Sequence, residues 1–424
     1  MTAPSGFTVT AGAPLYFAAR IALVFCAPMM VNGIALPFFP VWLETLSMND
    51  FQIGIVLAVP MFVRVFTAPA AGIVADRIGE RSVVLMWSGV LSLLTALFFF
   101  GVHGFWPVLL LYTLQCAVYS PYVPITDAIA LSGVRRWNFD YSRMRLWGSL
   151  AFIVATMIGG WLAGLYGGAM VLPAMAAAFA LTVAGAVIVP KIGRPRRPSP
   201  IAAIATMPAA STLRQRDVQL MLIGVSLVNA SHAMLYAFSV IYWRKLDFSG
   251  TEIGVLWSAG VLAEVILFAF ALRIRRRFNL WSMMTLGAAV AVGRWLVFPL
   301  ETSFAGYFAS QCLHAFTFAL LHVSVQSRLV ERVAEEQEAS AQGLYFFYTG
   351  IFMAIATFVS GYAYNWYGVE GFYLMSVIAA AGLACIVAGR LVASRAGVQP
   401  QSVASGGETS EPSEWMPGSR SRAS

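Results

Sequence analysis

Charge is what this sequence has least of. Asp, Glu, Lys and Arg together make up 11% of its 424 residues, against the roughly 25% of a soluble domain, which excludes an ordinary soluble globular fold. Short segments of alternating polarity are also missing, which excludes a transmembrane β-barrel. Cysteine is scarce: Cys26, Cys116, Cys312 and Cys385 all lie in apolar segments without metal-type spacing. Neither a disulfide framework nor a metal site is expected from them. The N-terminus has no basic n-region and no clear cleavage site, so the first apolar segment is expected to remain as a span. There is no nucleophile motif, no metal-spaced His/Asp cluster and no large soluble domain. These absences weigh against a polytopic membrane enzyme or receptor, and no cofactor is expected.

What the chain has is apolar length. It is 59% hydrophobic with a mean hydropathy of +0.75. Segments near the ~20 residues needed to span a bilayer follow one another at 15–41, 53–74, 82–101, 105–132, 145–166, 169–190, 217–243, 253–272, 279–299, 303–328, 341–365 and 370–393. This predicts an all-α membrane protein of about twelve helices, an even number that puts both termini on one side. Basic residues set the orientation. Alternate loops hold Arg77 and Arg81; Arg135, Arg136 and Arg143; Lys191 to Arg216; Arg273 to Arg277; and Arg328 and Arg332, whereas the opposite loops hold only Arg244 and Lys245. Both termini are therefore expected in the cytoplasm, and the net charge of +8 is read as orientation rather than as a nucleic-acid surface. A short N-terminus (1–14) precedes a first half (15–190). The Pro- and Arg-rich loop 191–216 leads to a second half (217–393), and the Ser-, Gly-, Pro- and Glu-rich tail 394–424 is expected to be disordered.

The halves repeat. Gln52-Ile-Gly-Ile55 matches Glu252-Ile-Gly-Val255 at an offset of 252 − 52 = 200. Arg77 faces Arg277 and Phe152 faces Phe352 at the same offset, and Gly160-Trp161 faces Gly361-Tyr362 at 201. The common register points to duplication, and a site between two such halves near the midplane is expected. In this register Arg64, mid-span in the second segment, corresponds to Glu264, mid-span in the eighth.

Ionisable residues inside the spans are few: Arg64, Asp127, Arg145, Glu264, Arg294, His314 and His322, with His232 a marginal addition near the end of its segment. Each costs about 2.5–3.5 kcal/mol even on lenient insertion scales, so each needs a reason. Asp127 and Glu264 are read as functional, with a static ion pair that fixes helix register as the alternative for each. His314 and His322 lie eight residues apart, which on a regular helix separates them by about 80° around the axis and ~12 Å along it. Both can face one cavity. For His322, a hydrogen bond within the bundle is an equal alternative.

Two groups of motifs carry a resemblance. Gly72-Ile-Val-Ala-Asp76-Arg77-Ile-Gly79-Glu-Arg81 resembles the loop between helices two and three of the major facilitator superfamily. That implies twelve transmembrane helices in two pseudo-symmetric halves of six, with Gly72, Asp76, Arg77, Gly79 and Arg81 governing conformational exchange. Pro121-x-x-Pro124-x-x-Asp127, Asp140-Tyr-x-x-x-Arg145-Leu-Trp-Gly-Ser149, Gly293-Arg294-Trp295 and Leu313-His314-x-x-Thr317-Phe318-x-x-x-His322 look like the bacterial phenylpropionic acid transporter group. That group is similar to proton symporters of the lactose permease type. The resemblance implies that Asp127 and Arg145 match a substrate-holding carboxylate–arginine pair. Glu264, Arg294 and His314 then match the substrate and proton residues of helices eight to ten. Thr317 stands where lactose permease has the carboxylate that carries the coupling proton, so coupling here cannot use that position.

With Thr317 neutral, the expected proton carriers are Glu264 first, then Asp127, with His314 and His322 as titrating neighbours. Three arginines against two acids leave a surplus cation, which suits a carboxylate ligand. Arg64 and Arg294 are expected to meet it, with Arg145 taken up by Asp127. The expectation is a monomeric, proton-gradient-driven transporter of the bacterial inner membrane that takes up a small aromatic carboxylate, with Arg64, Asp127, Arg145, Glu264, Arg294 and His314 around the substrate. A neutral sugar or nucleoside as substrate, or drug export, are the alternatives.

Overall fold

The backbone of a chain in hydrocarbon must satisfy its own hydrogen bonds, and here it does so as helices. The structure, a computed structural model, describes residues 12–78, 80–192, 211–333 and 338–395. The first half comprises α1 (Phe17–Thr45), α2 (Asp50–Ile78), α3 (Arg81–Phe98), α4 (Phe105–Trp137), α5 (Tyr141–Tyr166) and α6 (Val171–Ile188). The second comprises α7 (Arg216–Lys245), α8 (Gly250–Arg277), α9 (Leu280–Val297), α10 (Phe304–Arg332), α11 (Glu338–Tyr367) and α12 (Phe372–Arg395). The architecture is that of a twelve-helix membrane protein, as expected. The loop 193–210 and the terminal segments 1–11 and 396–424 lie outside the described residues.

Several helices outrun their apolar stretches. α4 continues to Trp137 and α8 to Arg277, past the expected ends at 132 and 272. Hydropathy falls at the first arginine, but a helix does not stop there. Arg135, Arg136 and Arg275 to Arg277 occupy last turns, where cations offset the C-terminal dipole. Starts are marked by caps. The Asp140 side chain accepts from the Arg143 N–H at 3.1 Å to open α5, and Ser249 with Glu252 forms a reciprocal capping box on α8.

α4 is interrupted at Ser120-Pro121 and α7 at Ser231-His232. α10 contains a π-helical segment, Ala315–Leu320, a wide turn that recurs at functional sites.

α1 packs on α5 and α6, and α7 and α9 pack on α12. Across the halves the main contacts are α2 with α11 and α5 with α8, two pairs that the repeat makes equivalent. Glycines form both seams. A Cβ on Gly54 would lie 2.5 Å from the Gly361 Cα, and one on Gly160 would lie 2.2 Å from the Gly250 oxygen. The repeated glycines Gly54, Gly160 and Gly361, together with Gly250, are therefore places where the halves touch backbone to backbone.

Near this end Arg244 Nη1 meets Glu44 Oε2 at 3.4 Å. Their separation in sequence is 200, the repeat offset, so equivalent positions meet each other, as residues near a two-fold axis do. The halves are thus closed at the end that carries the α1–α2 and α7–α8 turns.

Candidate functional site

In the second half, the unit is a hydrogen-bonded chain across α8, α9, α10 and the break in α7. Glu264 Oε1 on α8 lies 2.9 Å from His314 Nε2 on α10. The other ring nitrogen, His314 Nδ1, lies 3.3 Å from Arg294 Nη1 on α9. Arg294 is buried, with 3% of its surface exposed. It also donates to Thr317 Oγ1 (3.3 Å), Gln311 Oε1 (2.6 Å) and Ser310 Oγ (3.2 Å), and its guanidinium lies over the Trp295 ring at 4.5 Å. Thr317 Oγ1 in turn lies 2.9 Å from His232 Nε2, and His232 Nδ1 faces the Val228 and Asn229 carbonyls at 3.1 and 3.2 Å.

The donor inventory fixes the tautomers. Arginine only donates, so His314 Nδ1 must accept and Nε2–H points at Glu264. Carbonyls only accept, so His232 carries its hydrogen on Nδ1 and accepts from the Thr317 hydroxyl through Nε2. Every link is satisfied with both histidines neutral and Arg294 charged. Glu264 is the acid of this chain, and it reaches Arg294 only through His314. Gln311, whose amide also donates to the Leu256 carbonyl at 3.2 Å, ties the cradle to α8.

Glu264, Arg294 and His314 are thus brought together, as the sequence expectation had them. His232, marginal in sequence, is fully buried and central. Ser310, Gln311 and Thr317 are neutral partners that no charge pattern could reveal. His322 makes no hydrogen bond among the described residues. Its ring stacks on Phe318, 6.2 Å away at 9°, and Phe318 stacks on His314, 5.5 Å away at 17°. A regular helix would splay these three rings by about 40° per four residues. The π-helical turn winds less per residue and keeps them on one face.

The first half gives a different result from the one expected. Asp127 Oδ1 accepts from the Tyr141 hydroxyl at 2.9 Å, and Arg145 is within electrostatic reach of Asp127 but not in ion-pair contact. Arg145 instead lies over the Phe25 ring at 5.5 Å, and its Nη2 sits 3.7 Å from the Met29 sulfur. Its buried Nη1 has no hydrogen-bond partner among the described residues. A Cβ on Gly148 would lie 2.8 Å from that nitrogen, so the glycine of the Arg-Leu-Trp-Gly run makes room for the folded-back guanidinium. The expected commitments are therefore reversed. Arg294 is fully clothed by neutral groups, and half-buried Arg145 keeps a donor without a partner among the described residues, because Tyr141 has taken the place at Asp127. Arg64 is exposed and lies within electrostatic reach of Cys116 and Tyr119 on α4. This mirrors Glu264, the equivalent residue, against α10.

At the α2–α3 connection, Arg77 in the last turn of α2 is exposed, whereas Arg81, the first residue of α3, is buried and donates through Nη1 to the Ala128 carbonyl (3.2 Å) and Ser132 Oγ (3.3 Å). It is a brace between α3 and α4 rather than a solvated loop arginine. The placement of Gly79, the burial of Gly72 and the side chain of Asp76 lie outside what is described.

Comparisons with known proteins agree with this architecture. Residues 23–375 match the MFS_1 like family. The "Probable 3-phenylpropionic acid transporter" of Escherichia coli (strain K12) is 30% identical over 367 residues, 85% of this chain and 94% of that protein. The "Maltose permease" of Geobacillus stearothermophilus is 24% identical over 365 residues, 85% of this chain and 89% of that one. Among solved structures, the nucleoside transporter NupG superposes with a TM-score of 0.74 at 17% identity, covering 89% of this chain and 99% of that one. The chain belongs to the MFS_1 like family and is a multi-pass membrane transporter of the major facilitator type.

Proposed function

We propose that this transporter takes up a small organic acid of the phenylpropionate kind across the bacterial inner membrane, together with a proton, by alternating access. The observation that carries the reading is the buried Nη1 of Arg145, which has no partner among the described residues. A buried donor left unsatisfied costs about 1–3 kcal/mol, more when charged, and a carboxylate ligand removes that penalty. A hydroxyl ligand serves less well, because the guanidinium fork is matched to a carboxylate. The relative named for 3-phenylpropionic acid supports the same substrate class.

Glu264 is the proton carrier in this reading. The tautomers leave His314 no free site for a second proton while Arg294 donates to it, and Thr317 is neutral. Protonated Glu264 attracts His314 Nε2–H less strongly, which loosens the link from α8 to α9 and α10. Binding of the anion and protonation of Glu264 thus act on the two halves separately and meet in the change of access. His322, stacked on Phe318, is within electrostatic reach of Glu264.

The test is uptake of phenylpropionate into proteoliposomes with an imposed pH gradient. Accumulation should vanish with a protonophore, and Glu264→Gln should retain exchange while losing accumulation. Uptake that ignores the collapse of the gradient would show the coupling to be wrong. A neutral-substrate reading follows from the permease relatives, and competition separates the two. A galactoside or nucleoside that displaces phenylpropionate from the purified protein would favour it.

A further inference from the structure

On the outer face of the second half, α8, α9 and the π-helical segment of α10 enclose a groove of about 720 Å³, within the ~300–1,000 Å³ range of small-molecule sites. Its floor is a small core of its own, including Leu267, Met283, Ala315 and Leu320. Its walls include the exposed side chains Phe270, Phe278, Leu286 and Phe316. It plays no part in the chemistry above. It follows α8 from Ala263 to Phe278, about 22 Å at the rise of a regular helix, so it runs from mid-membrane past one end of the ~30 Å hydrocarbon layer.

That end is basic. Arg273 and Arg277 stand three and seven residues beyond Phe270, on the same helix face as the groove lining. Both are exposed, and the Arg273 guanidinium lies over the Phe270 ring at 5.4 Å. Neither has a carboxylate partner among the described residues. By contrast, Arg275, on the other side of the helix, donates to Ser327 at 3.2 Å. The repeat sharpens the point. The equivalent stretch of the first half, residues 73–77, contains Asp76, whereas 273–277 reads Arg-Ile-Arg-Arg-Arg with no acid.

We infer that this groove is a binding site for an anionic phospholipid, one acyl chain lying along α8 against the π-helical turn and the phosphate seated between Arg273 and Arg277. An apolar slot one leaflet long with a phosphate-matched pair of guanidinium groups at its polar end fits that ligand. A zwitterionic lipid brings its own cation to the same place and is disfavoured. The basic loops name the leaflet as the cytoplasmic one. The inference does not depend on which solute is carried. The occupied groove supports the same π-helical segment that holds Thr317, so lipid binding stiffens the outer wall of the polar chain.

The experiment is native mass spectrometry of the full chain, partially delipidated and then titrated with phosphatidylglycerol or phosphatidylcholine of identical acyl chains. Phosphatidylglycerol should be retained at least tenfold more tightly. Arg273→Gln with Arg277→Gln should bring it to the phosphatidylcholine level, and Ser282→Trp, an exposed change that fills the groove, should reduce retention of both. The motionally restricted fraction of spin-labelled phosphatidylglycerol in vesicles reads the same effect without leaving the membrane. Equal retention of the two lipids, retention untouched by the double substitution, or equal binding of glycerol phosphate without acyl chains would each overturn the inference. So would a dimer in nanodiscs that Ser282→Trp dissociates, since the groove would then belong to a second copy.

Discussion

Arg145 and Arg294 show how the same residue type serves two purposes. Arg294 has hydrogen-bond partners on every arm of its guanidinium and holds α9 to α10. Arg145 keeps one buried donor without a partner among the described residues, the donor assigned to the substrate in the proposed function. Replacing Arg145 with Lys keeps the charge but loses the fork, and substrate affinity should fall ten- to a hundredfold in equilibrium binding. Tyr141→Phe frees the Asp127 carboxylate to turn toward Arg145. It should raise the KM for uptake several-fold while leaving the maximal rate near that of the parent. Asp127→Asn should abolish transport in a protein that still inserts, and retained uptake would make Asp127 a structural residue.

Thr317→Val removes one hydroxyl and strands two groups, one of the two N–H donors on Arg294 Nη1 and the His232 Nε2 acceptor. The cost should be about 1–3 kcal/mol, read as a fall in thermal midpoint in detergent. The charged members of this site were legible because an ionisable residue stands out in an apolar run. Ser310 and Gln311 were not, and Thr317 stood out only through the resemblance and not as a partner of Arg294, because neutral polar residues are common in membrane helices and only geometry tells a ligand to arginine from a residue bonded to its own helix. The Asp127–Tyr141 bond was hidden for a similar reason: one tyrosine among 15 carries no mark of its partner.

At the level of helices, the seams between the halves rest on glycine. Gly54→Leu would drive a side chain into the Gly361 backbone, where even a Cβ would be 2.5 Å from the Cα. Backbone cannot yield as a flexible side chain can, so this end of the molecule should be held open. A cysteine introduced deep between the halves should then react faster with a membrane-impermeant thiol reagent added from that side, and net uptake should be lost. Unchanged labelling would place the moving seam elsewhere. These glycines were visible in the sequence as a repeat, but not as contacts, because periodicity gives register and not proximity. The π-helical turn in α10 was invisible altogether. Nothing in Ala315-Phe-Thr-Phe-Ala-Leu320 distinguishes it from regular helix, and its effect, aligning His314, Phe318 and His322, exists only in three dimensions.

At the scale of the whole molecule, the two halves are alike in path and unlike in charge. Glu44 and Arg244 are equivalent positions of opposite sign that meet each other, whereas Arg64 and Glu264 are equivalent positions of opposite sign that each serve their own half. Twelve spans followed from apolar length, which bilayer thickness dictates, and the duplication from the common offset of its matches. Which equivalent residues meet depends on their distance from the axis, which a linear pattern does not contain. The Glu44–Arg244 pair is partly exposed, at 33% and 46% of its side-chain surfaces, so salt screens it. Raising ionic strength should shift the same thiol-labelling rate modestly, well under the effect of Gly54→Leu.

The neutral cradle around Arg294 has an electrical consequence. Its charge is fixed, and so are those of Arg64 and Arg145; with Asp127 and Glu264 ionised, the empty site carries one net positive charge. In the proposed cycle an anion removes that charge and a proton on Glu264 restores it. The loaded and the empty carrier therefore cross with the same charge, and over a full cycle the membrane voltage, which works at ~2.3 kcal/mol per charge per 100 mV, cancels. A potassium diffusion potential imposed at constant pH should leave net uptake unchanged, so that the transporter feels acidity and is deaf to voltage.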